Sequence, residues 1–291
     1  MTKALKTAKR YYYLTKPGII RGNLLSVSAG FFIASNKNYL DTKLLFFVLI
    51  GSILVMSGAC VFNNFLDIDI DTYMLRTQQR ALVTKAISPK KSLFFGLILS
   101  FLGVVFLYNY TNTLTTLVGF IGFFVYVYIY TLTKRLTSFS TLIGAVSGAI
   151  PIVAGYTSVS GRLDLGAFLL FLILFFWQLP HFYSIAIFRA KEYKAANVPM
   201  ISNTKGSDFT KKAIFLTLLL YIVVSTLPYF FGYTGNIYFI AQLYAGTYWI
   251  FVATKYYKID SAQKWAKKIF GTSLLVLVIF TLSVVLDKIM L

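Results

Sequence analysis

Cysteine, histidine and acidic residues are all scarce in this sequence. Among 291 residues there are one cysteine, one histidine and nine aspartates or glutamates. A single cysteine excludes an intramolecular disulfide and a cysteine cluster for zinc or for an iron–sulfur centre. Cys60 lies within an apolar run and is interpreted as a packing residue.

Hydrophobic residues, in contrast, make up 58% of the chain. A soluble domain of this size could not cover that much apolar surface, so a bilayer is expected to be the solvent. Nine apolar runs have the length that a helix needs to cross the hydrocarbon. They occupy residues 18–35, 43–63, 92–110, 113–133, 138–161, 164–187, 213–232, 237–254 and 269–286. The runs are continuously apolar, which favours helices over a barrel. The sequence therefore predicts an all-α integral membrane protein, with residues 1–291 as one polytopic domain.

The net charge of +19 is distributed unevenly between the two ends of the predicted spans. With the N-terminus in the cytosol, 24 of the 28 Lys and Arg residues fall on the cytosolic side. The opposite side receives Lys37, Lys43, Arg162 and Lys288. This is the asymmetry of the positive-inside rule, so membrane orientation explains the basic residues and no nucleic-acid partner is expected. Nine spans place the C-terminus on the opposite side. The first seventeen residues lack a short apolar core with a cleavage site, so no removable signal peptide is predicted.

The two longest polar loops, 64–91 and 188–212, follow the second and sixth spans and face the same compartment. The first begins with NNFLDIDID, which holds three of the nine acidic residues. Acidic residues at a membrane boundary are costly and are candidates for function. On a continuing helix Asn63, Asn64, Asp67 and Asp71 share one face, while Asp69 points elsewhere. An oxygen-only set of this kind suits Mg²⁺ bridging carboxylates to substrate phosphates.

Basic residues follow the acidic cluster in the string RTQQRALVTK. Arg76 and Arg80 are four residues apart and could hold phosphate oxygens, with Lys85 nearby. The alternative interpretation is a solvated charged loop whose positive residues serve orientation. Further bases, Lys134 and Arg135, lie at the inner end of the fourth span.

The second loop carries a weaker signal in the string WQLPHFYSIAIFRAKEYKAANVPM. Its acid near the helix end is Glu192, accompanied by Arg189, Lys191 and Tyr193. His181 follows Pro180, a residue that removes a helical hydrogen bond. A histidine in an apolar stretch is more often a hydrogen-bonded core residue. The alternative is contact with a haem through iron or a propionate, because imidazole suits iron. Trp177, Phe182 and Tyr183 could line such a site.

These strings together resemble a known family. NNFLDIDID followed by RTQQR is similar to the Asp-rich first motif of the UbiA-type intramembrane prenyltransferases. YTLTKRLTSFSTLIGAVSGAIP and WQLPHFYSIAIFRAKEYKAANVPM resemble its haem-prenylating branch, and the likeness extends to LTKPGIIRGN near the start.

The resemblance implies a helical bundle around a central cavity, which binds farnesyl diphosphate through Mg²⁺ and transfers farnesyl to a vinyl group of haem B. It assigns the metal and diphosphate motif to Asn63, Asn64, Asp67 and Asp71, and the diphosphate partners to Arg76, Arg80, Lys134, Arg135, Lys16 and Arg21. It adds Glu192 as a ligand where the family has aspartates, and an acceptor site at His181, Trp177, Arg189 and Tyr193. It further implies a bacterial inner membrane location with the site facing the cytoplasm, and haem A synthase or a terminal oxidase as a partner.

Three other functions compete with this interpretation. A prenyltransferase of the same superfamily could act on an aromatic acid or a quinone precursor and would not bind haem. A polytopic transporter would have ionisable residues near the middle of the bilayer, whereas this chain keeps its acids at helix ends. An assembly factor that only holds haem would not need the face of Asp and Asn residues.

Overall fold

The computed structural model describes residues 2–36, 40–257 and 261–290, except for the side chain of Lys3. These ranges contain helices and no strand. Nine of the helical segments are long and apolar enough to cross a membrane. The predicted positions Lys37 and Lys258 lie outside the described residues.

The helices are named here in chain order. They are α1 (Lys3–Leu14), α2 (Pro17–Ala34), α3 (Thr42–Leu66), α4 (Ile68–Tyr73), α5 (Pro89–Tyr110), α6 (Thr113–Phe124), α7 (Thr131–Thr133), α8 (Ser140–Ser160), α9 (Leu165–Phe188), α10 (Ala190–Ala195), α11 (Ile201–Thr204), α12 (Ser207–Phe230), α13 (Asn236–Lys255) and α14 (Ala262–Met290). A π-helical segment, Val125–Tyr130, joins α6 to α7, so that Thr113–Thr133 forms one span.

The nine predicted spans are confirmed, and the largest differences are at the ends of α12 and α14. The apolar runs 213–232 and 269–286 correspond to helices Ser207–Phe230 and Ala262–Met290. Apolarity locates the part of a helix that lies in lipid, but backbone hydrogen bonding continues through polar turns that reach water. The polar residues before each run therefore extend the helix by about two turns.

Helix α1 was not predicted from the sequence. Thr2 caps it by accepting a hydrogen bond from the Leu5 backbone N–H, at 3.4 Å. At its other end Leu14 is buried in a cluster with Val61, Leu82 and Ile87. This contact ties the N-terminal segment to α3 and to the first long loop, next to the acidic cluster.

Helices α2 and α8 pack with their backbones in contact. A Cβ atom on Gly30 would lie 2.0 Å from the carbonyl oxygen of Ile152, and one on Gly155 would lie 2.0 Å from the carbonyl oxygen of Val27. Only glycine fits at both positions. Small residues allow this close packing of membrane helices, where van der Waals contact is a main source of association energy.

A central cavity of about 570 Å³ lies inside the bundle. It is lined by residues of α2, α3, α5, α6, the π-helical segment, α8, α9 and α14. The expected bundle around a central cavity is therefore confirmed. One end of the bundle brings together Lys16, the first long loop and Lys134, while Lys288 contacts the Ser35 carbonyl at the other end.

Candidate active site

The acidic cluster lies where α3 ends and α4 begins. Asp67 separates the two helices with φ −99° and ψ 7°. The helical hydrogen bonds nevertheless continue, from Asp67 N to Asn63 O at 3.0 Å and from Asp71 N to Asp67 O at 2.8 Å. The chain bends at Asp67 without losing helical register, so residues four apart still share one face.

Four side chains of this cluster are buried and one is exposed. Asn63, Asn64, Asp67 and Asp71 each expose 5% or less of their surface. The side chain of Asp69 is 64% exposed. The structure thus brings together the four residues predicted to share a face and directs Asp69 away from them. Their predicted role as metal ligands stays a prediction.

Three of these four buried side chains, those of Asn63, Asp67 and Asp71, pair with a base from a different segment. Lys16, at the start of α2, donates to Asn63 Oδ1. Lys134, after α7, donates to Asp67 Oδ2. In the first long loop the Arg80 guanidinium lies 2.6 Å from Asp71 Oδ2. Loops that are far apart in sequence therefore meet at a single group of charges.

Burial, together with repulsion from neighbouring bases, disfavours the positive charge on both lysines. Burial, with a further contribution from Arg80, lowers the pKa of Lys16 to about 8. Burial also lowers the pKa of Lys134, although Asp67 opposes that effect. A site that holds several bases at the expense of their protonation favours an added anion, which would offset the cost of burying them.

Arg135 pairs with the exposed acid, Asp69. Its guanidinium forms a two-point pair with Asp69, at 2.5 and 2.7 Å, and also donates to the Leu66 carbonyl. The hydrogen bond to Asp69 raises the pKa of Arg135, and the same bond lowers the pKa of Asp69. Asp67 Oδ1 is 3.9 Å from Arg135 Nη2. Arg135 thus fixes the bend between α3 and α4, and its role toward a diphosphate stays a prediction.

Three buried carboxylate or amide oxygens have no hydrogen-bond partner in the described part of the chain. They are Asn64 Oδ1, Asp67 Oδ1 and Glu192 Oε2. A buried acceptor without a donor is costly and is expected to have a partner such as a cation or water. All three of these potential metal ligands are oxygen atoms, which fits Mg²⁺. Among the described residues, no three His, Cys, Asp or Glu side chains are placed so that together they could hold a metal ion. A metal here would therefore also need amide, substrate or water oxygens.

The second long loop reaches the same end of the bundle. Arg189 Nη1 lies 2.7 Å from Glu192 Oε1, three residues along the chain. Arg76 of the first loop is within electrostatic range of Arg189, Glu192 and Tyr193. The predicted residues of the two loops are therefore neighbours. Arg21, by contrast, has an exposed side chain on α2.

The central cavity begins one turn from the acidic cluster. Cys60, three residues before Asn63, lines its wall. Tyr130 also lines it, with its ring centroid 5.8 Å from Lys134 Nζ and stacked at 5.6 Å on Tyr126. The charged cluster thus lies beside a cavity whose lining is mainly apolar and aromatic.

His181 and Trp177 line the cavity on α9 and are held by α14. The two rings stack at 5.0 Å, and Trp177 Nε1 donates to the backbone carbonyl of Ser273. His181 Nδ1 lies 2.7 Å from the Ser273 hydroxyl, which donates its own hydrogen to the Phe270 carbonyl. The hydroxyl must therefore accept from His181, so Nδ1 carries the proton and Nε2 keeps a lone pair. The ring is hydrogen-bonded, as the packing interpretation expects, yet it also faces the cavity.

Sequence reasoning missed Gln178 and Ser273. Gln178 is buried on α9 and lines the cavity. An amide in the apolar string FFWQLPH is a signal that could have been noticed. Ser273 lies 92 residues from its histidine partner, in a span with nothing to distinguish it, and its role depends on packing.

Comparison with known proteins gives a consistent result. Residues 23–279 match the UbiA prenyltransferase family. The chain is similar to the protoheme IX farnesyltransferase of Protochlamydia amoebophila, with 42% identity over 95% of this chain and 98% of that protein. It is also similar to the protoheme IX farnesyltransferase of Photorhabdus laumondii, with 43% identity over 96% of this chain and 94% of that protein.

Solved structures share the fold at low sequence identity. A digeranylgeranylglyceryl phosphate synthase aligns with a TM-score of 0.77 and 19% identity, covering 98% of this chain and 100% of that one. A UbiA homologue from Archaeoglobus fulgidus, bound to DMAPP and Mg²⁺, aligns with a TM-score of 0.74 and 15% identity, covering 95% and 99%.

Proposed function

The chain belongs to the UbiA prenyltransferase family, and from that premise we propose that this multi-pass membrane enzyme transfers a farnesyl group from farnesyl diphosphate to a vinyl group of haem B, producing haem O. The proposal is supported by two relatives more than 40% identical over nearly their whole length, both named protoheme IX farnesyltransferase. The observation that carries it is a charged site of carboxylates and bases beside an apolar, aromatic cavity.

The buried face of α3 and α4 is the proposed metal and diphosphate site. Asn63, Asn64, Asp67 and Asp71 would hold Mg²⁺, and the buried oxygen of Glu192 would supply a ligand from the second loop. Bound Mg²⁺ would stabilise the negative charge of the departing diphosphate. A family structure that contains both DMAPP and Mg²⁺ supports this assignment.

The bases around the acidic cluster are the proposed partners of the diphosphate. Lys16, Arg80 and Lys134 already lie within contact distance of the cluster, so a bound diphosphate could take them over from the carboxylates. Arg76, Arg21 and Arg135 are the outer members of the same proposed set. Such groups act most strongly on the charge that develops as the prenyl carbon–oxygen bond breaks.

The cavity would bind the two apolar substrates and keep water from the allylic cation. Its aromatic residues Tyr126, Tyr130 and Phe123 can stabilise positive charge through their ring faces. In this reaction the π electrons of the vinyl group form the new bond to the first farnesyl carbon. The positive charge then lies on the vinyl carbon attached to the macrocycle, where water adds to give the hydroxyl.

The acceptor side of the cavity is proposed to lie along α9 and its following loop. His181 and Trp177 line the cavity, and Arg189 and Tyr193 follow on the next loop, where Arg189 is the base proposed to meet a haem propionate. Replacing His181 with Ala is expected to weaken haem binding in an absorbance titration. An unchanged affinity and spectrum would argue against a role for the ring in haem binding.

The distribution of basic residues supports the orientation in the membrane. We infer that the charged end faces the cytoplasm of a bacterial inner membrane, since most Lys and Arg residues lie at that end. A haem A synthase or a terminal oxidase is the proposed recipient of the product, because haem O has no role until it is inserted or modified.

The test is product analysis with purified protein. The protein is incubated with Mg²⁺, prenyl diphosphates of several lengths and two competing acceptors, haem B and a phenolic acid, and the products are weighed by mass spectrometry. Farnesylated haem, absent from an Asp67→Asn control, is the expected result. Prenylation of a phenolic acid in place of haem would contradict the proposal and favour the aromatic or quinone alternative.

A further inference from the structure

Gln178 and His181 are two polar residues on the cavity-facing side of α9. They are three residues apart, so their side chains are neighbours on the helix surface. Gln178 is 4% exposed, and its amide makes no hydrogen bond to any described residue, with Nε2 fully buried. Both residues line the cavity among largely apolar neighbours such as Leu174, Leu277 and Phe182.

Gly148 of α8 provides the space for this amide. A Cβ atom at position 148 would lie 2.0 Å from Gln178 Oε1 and 2.9 Å from its Nε2. The amide is thus held between α8 and the cavity. A buried amide without partners costs on the order of 1–3 kcal/mol, so its presence at a cavity wall indicates a polar ligand there.

His181 provides a lone pair beside the amide. Ser273 fixes the proton on Nδ1 because the serine hydroxyl donates to the Phe270 carbonyl. No hydrogen bond joins Nε2 to the described residues. The histidine is therefore prepared to accept a proton or a hydrogen bond from something within the cavity.

The proposed reaction creates a need for such a pair. Addition of the farnesyl carbon to the vinyl group leaves a cation on the carbon attached to the macrocycle. That cation can lose a proton to form a diene, or it can be captured by water. Proton loss needs only a base, whereas capture also needs a water molecule held at the right face in a cavity that otherwise excludes water.

We propose that Gln178 and His181 form a water-capture pair, in which the Gln178 amide positions one water molecule and His181 Nε2 accepts its proton. This inference rests on the proposed function. In the step, a lone pair of the water oxygen forms the carbon–oxygen bond to the cation. One water proton moves to Nε2, which gives a hydroxylated neutral product and an imidazolium that later returns the proton to solvent. Gln178 acts as a positioning residue and determines which product forms.

The experiment measures the ratio of hydroxylated to dehydrated product, the latter lighter by one water, using full-length protein, haem B, farnesyl diphosphate and Mg²⁺. Gln178→Met keeps the side-chain length but removes the amide. Its ratio is expected to fall about tenfold, the effect of losing one hydrogen bond to the water. Gly148→Ala displaces the amide without changing it chemically and is expected to lower the ratio in the same direction. In ¹⁸O-labelled water, the hydroxyl of the wild-type product should carry the label.

Gln242→Met is the matched control. Gln242 is also a buried glutamine, but it hydrogen-bonds to Tyr221 and Ser283 and is not among the residues that line the cavity. Its replacement should lower stability and leave the product ratio at the wild-type value.

The possible outcomes separate this inference from the function on which it depends. A wild-type ratio in both Gln178→Met and Gly148→Ala would overturn the water-capture pair, since the two variants disturb the amide by unrelated routes. A folded Gln178→Met protein without any transfer would also overturn it, because the amide would then act in binding or ionisation. If the wild-type protein formed no farnesylated haem, the proposed function itself would be wrong.

Discussion

Three aspartates in one short string allow a test in which a single negative charge is removed either from a buried position or from an exposed one. Asp67 and Asp71 are buried at the proposed metal site, whereas the Asp69 side chain is 64% exposed and pairs with Arg135. Replacement of each by Asn removes one negative charge and keeps the shape of the side chain. We expect Asp67→Asn and Asp71→Asn to abolish Mg²⁺-dependent turnover and Asp69→Asn to retain most of it.

The expected magnitudes follow from burial and from the partner of each carboxylate. Loss of one group that stabilises developing charge in a preorganised site typically costs about 10²- to 10³-fold in rate, or roughly 2.7–4 kcal/mol. We expect kcat/KM for farnesyl diphosphate to fall by at least that amount in Asp67→Asn. An exposed ion pair contributes up to about 1 kcal/mol, so Asp69→Asn should change turnover by about fivefold at most.

Stability must be separated from chemistry, because Asp67→Asn leaves the Lys134 ammonium without its carboxylate. That loss is expected to cost about 1–3 kcal/mol of folding free energy. Replacing Lys134 with Met in the same protein removes the unpaired charge and should restore part of the stability without restoring activity. Thermal unfolding in detergent measures the first quantity, and farnesyl transfer to haem at several Mg²⁺ concentrations measures the second.

Normal farnesyl transfer with normal Mg²⁺ dependence in either Asp67→Asn or Asp71→Asn would refute the assignment of the ionisation site. So would equal losses in all three variants, because the structure separates Asp69 from the other two. If the double variant recovered activity together with stability, Asp67 would be a structural residue only.

Three further predictions follow from other features of the structure. The pKa of Lys16 is lowered to about 8, so its side chain is a charged ammonium below that pH and a neutral amine above it. The value of kcat/KM for farnesyl diphosphate should therefore fall as the pH rises through about 8. The Lys16→Arg variant, which stays charged, should not show that fall. A flat profile in the wild-type protein would contradict this. Gly155→Ala should lower stability by about 1–3 kcal/mol in thermal unfolding because its Cβ would meet the Val27 carbonyl. Gly271→Ala is the control: a Cβ there has open space, so this variant should be neutral or stabilising. Equal effects of the two variants would disprove the close contact of α2 and α8. Ser52 lines the cavity eleven residues before Asn63, roughly 16 Å along α3, so Ser52→Phe should raise the preference for geranyl over farnesyl diphosphate in competition assays. An unchanged preference would place the prenyl chain elsewhere.

Much of the fold could be predicted because lipid imposes a simple constraint on sequence. A span must be apolar over a fixed length, so each of the nine runs can be identified from its own residues alone. The π-helical segment Val125–Tyr130 has no such signal. At its end the backbone N–H of Thr131 donates to the carbonyl of Tyr126, five residues back, and the Thr131 hydroxyl donates to the same carbonyl at 2.9 Å.

The site could be predicted only in part, for a related reason. Local spacing placed Asn63, Asp67 and Asp71 on one face, and the structure keeps them together because the helical hydrogen bonds continue through the bend at Asp67. Partners from distant segments are a different matter. That Lys134 would pair with Asp67, and Arg135 with Asp69, depends on how the fourth span packs beside α3, which no local pattern specifies.

The pairing of Asn63, Asp67 and Asp71 with Lys16, Lys134 and Arg80 has a consequence for what the resting protein will accept. Asp67 and Asp71 are the counter-ions of Lys134 and Arg80, so a bare metal ion would have to displace a base, and a bare phosphate could reach these two bases only by displacing an aspartate. Either exchange would leave the displaced side chain charged and unpaired in a buried site. A cation and a diphosphate that bind together would satisfy both the aspartates and the bases, and the loss of pyrophosphate would let the original pairs form again before the next cycle.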